Sequence, residues 1–185
     1  MSDRGNWESR YLERARRAPS SFLMAQRHRL PGGRALDLAC GDGRHALYLA
    51  RHGWRLEAID FAHAGLSRMM AVARHERLRL EAVQADLECF SLPRDRYDVV
   101  VNVRYLQRSL FTAITASLRT GGVLVFETFL RDQQSIGHPR NPAFLLERGE
   151  LADALGELEL LVYEEGCFET ESGPTFLARA VARKP

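Results

Sequence analysis

Two glycines and an acid have the spacing of a nucleotide-cofactor site. Gly41 and Gly43 stand between an apolar run over 35–39 and a helix-like pattern over 46–50. Glycines at a strand-to-helix turn let the backbone approach a ligand that a Cβ would keep away, and the start of the helix offers unpaired N–H groups to it. Asp60 follows Gly41 by 19 residues, where an acid can accept hydrogen bonds from ribose hydroxyls.

Two further carboxylates separate the possible cofactors. The fingerprint G-x-G-x-x-A that begins at Gly41 is compatible with NAD. Asp37, however, interrupts the apolar run, and a buried carboxylate there needs partners, either its own turn or the ammonium of a methionine moiety. Asp86 follows the third predicted strand and either recognises an adenine edge beside Asp60 or caps a turn. These acids favour S-adenosylmethionine over NAD.

Strands alternate with helices along most of the chain. Apolar runs predict strands, and residues with helical spacing lie between them; the strands are 35–39, 54–60, 78–85, 97–102 and 123–129, and the helices 44–52, 64–74 and 106–118. This alternation predicts βαβ units and a parallel sheet. Strands at 157–165 and 175–183 are too close together for a crossover helix. The predicted fold is therefore an α/β, Rossmann-like, doubly wound, mostly parallel seven-stranded sheet with an antiparallel C-terminal hairpin.

Composition predicts one soluble domain over residues 1–185. The chain is 45% hydrophobic and 27% charged, and no apolar run approaches the length of a bilayer span. Its charged N-terminus is unlike a signal peptide. Three distant cysteines, Cys40, Cys89 and Cys167, predict reduced thiols, a cytoplasmic location and no metal site. We expect no membrane association, and nothing in the sequence defines an oligomeric state.

The pattern at the glycines resembles a known family. The chain resembles the class I S-adenosylmethionine-dependent methyltransferases over nearly its whole length, and within them the small tellurite-resistance-type group. The segment LDLACGDGR over 36–44 carries the resemblance, together with LYLA over 47–50 and WESRY over 7–11. Ala39 stands where many members have a first glycine. The resemblance implies the strand order 3-2-1-4-5-7-6, S-adenosylmethionine as cofactor and S-adenosylhomocysteine as product.

The resemblance also implies which residues hold the methionine end of the cofactor. Asp37 and the backbone around Ala39 and Gly41 would bind that end. Asn102 and Val103, which follow the fourth strand, would line the sulfonium.

The adenosine end would be held by the second and third strands. By the same resemblance, Asp60 would bind the ribose hydroxyls and Phe61 would pack near the adenine. Asp86 would accept from the adenine amino group, and the Leu87 N–H would donate to the ring.

Two segments are expected to cover the site. Residues 1–30 are a predicted helical lid, in which Trp7 and Tyr11 either close over the cofactor and exclude water or simply form the buried face of an amphipathic helix. Residues 131–148, interrupted by glycine and prolines, are a predicted substrate-side loop.

The acceptor is expected to be a small molecule: a thiol, a chalcogen oxyanion or another small anion. Displacement at a sulfonium needs alignment, and needs a base only when the nucleophile is protonated. The candidates for catalytic residues are Tyr105, His138 and Arg104, the last as an anion ligand. The other histidines are expected at surface or cap positions.

Two alternatives remain open. Seven arginines against three acids in residues 1–30 suggest a nucleic-acid methyltransferase. However, Asn102-Val103-Arg104-Tyr105 lacks both prolines of the Asn-Pro-Pro-Tyr motif, so nucleic acid is the less favoured partner. The other alternative is a cofactor-binding protein without catalysis.

Overall fold

A computed structural model describes Glu8, Tyr11 and residues 15–185. Seven strands form one sheet in the order β3-β2-β1-β4-β5-β7-β6. The first five pair in parallel, and β7 is antiparallel to both β5 and β6. The predicted order and the predicted antiparallel hairpin are therefore confirmed. The strands are β1 Arg34–Leu38, β2 Arg55–Asp60, β3 Leu80–Gln84, β4 Tyr97–Val103, β5 Leu118–Phe129, β6 Glu159–Thr170 and β7 Gly173–Arg183.

Helices cover both faces of the sheet, because its strands are apolar on both sides. One buried cluster joins Leu23 and Leu47 to Val101, and the other joins Ile114 to Val100. The α-helices in the described part are α1 Ser21–Gln26, α2 Arg44–Arg51, α3 His63–His75, α4 Phe111–Ser117 and α5 Glu150–Ala154, with 3-10 turns at Arg27–Arg29, Arg108–Leu110, Arg131–Ser135 and Pro142–Phe144.

Two predicted boundaries are wrong. The predicted helix over 106–118 ends at Ser117, and β5 begins directly at Leu118 with an irregular register before Val123. Gly122 allows this irregularity, because a Cβ there would lie 2.8 Å from the Arg119 carbonyl oxygen. The last two strands are also longer than predicted, and only Glu171 and Ser172 separate them.

The two predicted covering segments differ in how much of them is described. Trp7 and Arg10 lie outside the described residues. The 131–148 segment contains two 3-10 turns and a parallel bridge between Leu130 and Leu146, so it is less irregular than a plain loop. None of the described helices has the length and apolar character to cross a bilayer.

Candidate cofactor site

The glycine-rich turn reverses the chain through left-handed backbone conformations. Ala39 has φ +50°, Gly41 φ +58° and Gly43 φ +77°. Glycine adopts this conformation readily, whereas other residues adopt it at a cost in free energy. Ala39 therefore holds some backbone strain. The Cys40 N–H donates to the Ile59 carbonyl at 3.0 Å, which fixes the turn at the carboxyl end of β2.

Asp60 links this turn to the start of α3. Its Oδ2 accepts from the Gly41 N–H and its Oδ1 from the Ala62 N–H, both at 2.8 Å. The side chain is buried, and burial raises its pKa. Each carboxylate oxygen has two lone pairs, so Asp60 retains the capacity to accept hydroxyl hydrogen bonds.

Asp37 has one oxygen in use and one without a partner. Its Oδ2 accepts from the Ala46 N–H at 3.0 Å and so caps α2. Its Oδ1 has no hydrogen-bond partner among the residues that the structure describes, although the side chain is only 1% exposed. Burial raises the pKa of Asp37 to about 7. The capping interpretation therefore accounts for one oxygen, and the other suits the ammonium of a methionine moiety.

The predicted adenosine residues follow β2 and β3. Phe61 is half-buried directly after β2, and its carbonyl oxygen accepts from Gln84 Nε2 at 3.2 Å. Asp86 is half-buried and its Oδ1 accepts from the Glu88 N–H at 3.0 Å, so the predicted turn cap is present. Leu87 is buried. Their roles toward adenine stay predictions.

The carboxyl end of β4 carries a chain of side-chain hydrogen bonds. Asn102 is buried, and its Nδ2 donates to the Tyr105 carbonyl oxygen at 2.8 Å. The Tyr105 hydroxyl donates to Gln107 Oε1 at 2.6 Å. Burial raises the pKa of Tyr105 to about 12, so its hydroxyl is a hydrogen-bond donor at neutral pH and not a base. Val103 is buried beside them.

The described N-terminal residues contact the glycine-rich turn. Glu8 caps α3: Oε1 accepts from the His63 N–H at 2.7 Å and Oε2 from the Ala64 N–H at 2.9 Å. The Tyr11 ring lies against Gly41, where a Cβ would be 2.8 Å from Tyr11 Cζ. Tyr11 therefore covers the turn where the predicted lid would act.

Arg108 contacts the 131–148 segment, which contains the candidate base His138. Its Nη2 donates to the Leu145 carbonyl oxygen at 2.8 Å and its Nη1 to the Ala143 carbonyl oxygen at 3.3 Å, while its Nε lies 2.5 Å from Oε1 of Glu150 in α5. It therefore anchors that segment. His138 is exposed, and its role as a base stays a prediction.

Three further charged or polar side chains, His45, Arg104 and Arg179, lie in buried or partly buried settings. His45 was expected at a surface or cap position, but it is only 3% exposed, because its side of α2 faces the core. Arg104 is paired with the buried Glu127, at 3.2 Å between Nε and Oε1. Arg179 approaches the same carboxylate from β7. The sequence signal that could have indicated a buried Arg179 is its position inside the apolar strand pattern LARAVA.

Comparison with known proteins agrees with this geometry. Residues 35–122 match the family model of a methyltransferase domain. The resemblance predicted from the sequence is confirmed. TehB from Haemophilus influenzae superposes with a TM-score of 0.80, covering 99% of this chain and 67% of TehB at 19% sequence identity, which shows the shared fold. An S-adenosylmethionine-dependent methyltransferase from Mesorhizobium loti also shares this fold, with a TM-score of 0.72, covering 89% of this chain and 98% of that protein at 21% sequence identity.

The curated proteins that this chain matches are diverse. Hemagglutinin 1 of Eikenella corrodens is 29% identical over 141 residues, and the phthiotriol/phenolphthiotriol dimycocerosates methyltransferase of Mycobacterium leprae is 32% identical over 115. Ribosomal RNA small subunit methyltransferase C of Alcanivorax borkumensis is 28% identical over 102 residues. The matches cover 71%, 58% and 50% of this chain, and 46%, 42% and 31% of the relatives. The chain therefore spans less than half the length of each relative.

Proposed function

We propose that this chain transfers the methyl group of S-adenosylmethionine to a small-molecule acceptor. One observation carries the cofactor assignment: the buried Asp37 has an oxygen without a partner at a glycine-rich turn. An unpaired buried carboxylate oxygen costs free energy unless a ligand satisfies it. The methionine ammonium has the charge and the hydrogen-bond donors to do so.

The residues of the chain then position the reactants. The cofactor supplies an electrophilic methyl group on a sulfonium whose leaving thioether is neutral. Asp37 would hold the ammonium and Asp60 the ribose hydroxyls, while Asn102 and Val103 would line the sulfonium. Tyr11 would exclude water from the glycine-rich turn. Alignment and exclusion of water are the main contributions that this reaction needs from a protein.

Enclosure of the site favours a small acceptor. Glu8 lies on the start of α3, and the Tyr11 ring lies on the glycine-rich turn. Arg108 holds the 131–148 segment from the direction of β4. Tyr11 over the turn and the anchored 131–148 segment would narrow the approach to the carboxyl ends of the strands, which suits a small molecule better than a folded nucleic acid.

Calorimetry tests the cofactor assignment. We expect S-adenosylmethionine and S-adenosylhomocysteine to bind, and NAD not to bind. Asp60→Ala should weaken binding about 100-fold, because hydrogen bonds to a charged group contribute about 1.5–3 kcal/mol each. Glu76→Ala is the matched control, since that exposed carboxylate pairs with Arg51 at the far end of α3. Unchanged affinity in Asp60→Ala would refute the ribose assignment.

Methyl transfer is tested with labelled S-adenosylmethionine and a panel of thiols, oxyanions, carboxylates, amines and RNA. Label in a small product is the expected result. The arginines of residues 1–30 and the ribosomal RNA methyltransferase among the relatives make RNA the second candidate. Labelled RNA, with binding that weakens steeply as salt is added, would establish that alternative. Cofactor binding without any labelled product would favour a non-catalytic binding protein.

A further inference from the structure

A buried carboxylate lies between two guanidinium groups at the carboxyl ends of β4 and β5. Glu127 is 3% exposed; its Oε1 is 3.2 Å from Arg104 Nε and its Oε2 is 3.7 Å from Arg179 Nε. The strand register places Arg179 opposite Glu127, and the Arg104 N–H donates to the Glu127 carbonyl oxygen at 2.7 Å. The cluster follows directly after Val103, beside the predicted sulfonium position.

Arg104, Arg179 and Glu127 together carry one positive charge in excess. Both guanidinium groups stay protonated, because the pKa of arginine is far above neutral. Glu164 is the other acid near Arg179, but it is 3.9 Å away and its side chain is 46% exposed, so water screens it. Burial lowers the pKa of Arg104; the charge of Glu127 opposes that shift, and the charge of Arg44 adds to it. An uncompensated buried charge costs free energy unless an anion joins it.

Both guanidinium groups are held in place by aromatic rings. Arg179 lies over the Phe168 ring at 3.3 Å and near the Phe22 ring at 5.5 Å, and Arg104 lies over Phe129 at 4.5 Å. Arg179 is 9% exposed, and its Nε has no hydrogen-bond partner within the described part of the chain. A donor that is buried, fixed and unpaired is prepared for a ligand.

We propose that Arg104 and Arg179 form the binding site for a carboxylate group on the methyl acceptor. The assignment rests on the proposed function, and it narrows the acceptor to a small molecule that carries a carboxylate near its nucleophilic atom. A monoanion neutralises the excess charge, whereas a phosphate dianion would leave a negative charge in its place. A planar carboxylate also matches the fork of guanidinium donors.

Binding of sodium benzoate tests the site without any turnover. We expect calorimetry at low salt to show benzoate binding to the protein saturated with S-adenosylhomocysteine, and binding of benzamide at least about tenfold weaker, because one charge-assisted hydrogen bond is worth about that factor. Phosphate should also bind more weakly than benzoate. Equal affinities for benzoate and benzamide would overturn the site, and phosphate binding as tight as that of benzoate would overturn the choice of carboxylate.

Three variants separate a ligand site from a structural charge cluster. Arg179→Met should lose about tenfold or more in benzoate affinity and keep its thermal midpoint, because Arg104 and Glu127 remain a balanced pair. Glu127→Gln should bind benzoate more tightly, because two guanidinium groups then lack a carboxylate. Arg183→Met, on the same strand but exposed and paired with Glu159, is the control and should match the wild type.

The outcomes distinguish this site from the cofactor site. Unchanged benzoate affinity in Arg179→Met, or weaker binding in Glu127→Gln, would overturn the carboxylate site while binding of S-adenosylhomocysteine persists. Failure of the wild type to bind S-adenosylhomocysteine would refute the proposed function instead. Benzoate titrations without S-adenosylhomocysteine would still report on the two arginines in that case.

Discussion

Asp37 should contribute stability that is lost as pH rises from about 4 to 7, and buried His45, whose pKa burial lowers, contributes in the opposite sense. Burial raises the pKa of Asp37 from 3.8 to about 7. In that interval the folded state holds a proton that the unfolded state has released, so stability decreases with pH. A shift of about three pKa units corresponds to a loss of about 4 kcal/mol, complete near pH 7.

The substitution Asp37→Asn isolates this effect. An amide oxygen can still accept from the Ala46 N–H, but the side chain no longer ionises. Urea unfolding at pH 5 and pH 8 should show that the variant loses much less stability with pH than the wild type does. Asp60, whose pKa burial also raises, contributes the same slope to both proteins. Asp98→Asn is the control, because that carboxylate also accepts a backbone N–H, from Arg34 at 2.7 Å, but at the opposite end of the sheet.

The same carboxylate should couple cofactor binding to proton release. If the methionine ammonium lies at Asp37 Oδ1, it stabilises the ionised form, so S-adenosylhomocysteine binding at pH 6 should release a proton. Calorimetry in buffers of different ionisation enthalpy measures that release, which should be absent in Asp37→Asn. Equal pH slopes of stability in the wild type and the variant would refute the role of Asp37, and equal proton release would refute its contact with the ammonium.

Two further predictions concern packing around the site. Gly43→Ala and Gly53→Ala both place a side chain at positive φ, but only the first meets a neighbour, with Met69 Cβ 2.9 Å from the added Cβ. The free energy of unfolding should therefore fall by about 1–3 kcal/mol more in Gly43→Ala, and equal losses would contradict the overpacking. Arg108→Met removes the contacts of Arg108 with Glu150 and with two backbone carbonyl groups. Limited proteolysis within 131–148 should accelerate while S-adenosylhomocysteine affinity stays the same; an unchanged cleavage rate would contradict the anchoring role.

Local patterns made the centre of the fold predictable. The strand β1, the glycine-rich turn and α2 are adjacent in sequence, so apolar spacing and two glycines suffice to place them. Asp60 and Asp86 follow strands whose carboxyl ends must meet at one edge of a parallel sheet. The terminal hairpin was predictable because no helix fits between its strands. These predictions need only local sequence patterns and the rules for connecting strands within one sheet.

Long-range contacts were not predictable in the same way. The Glu8 carboxylate caps α3 through the His63 and Ala64 N–H groups, across 55 and 56 residues of sequence. A glutamate in an arginine-rich segment has the pattern of a solvated charge. The sequence of α3 does not indicate which distant side chain caps the helix. The backbone of Ala39 was also not predictable from the residue itself. The turn imposes its left-handed conformation, which alanine does not favour.

The cluster at Glu127 shows how register decides what a charged residue does. Glu127 and Arg179 both interrupt apolar strand patterns, and both are buried, so each needs a partner. They meet only because β5 and β7 pair with Glu127 opposite Arg179. A shift of one residue in that pairing would turn Arg179 to the other face of the sheet, among the apolar contacts of Ile114 and Leu151. The apolar residues of β7 hold the register, and the register in turn places two guanidinium groups around one carboxylate.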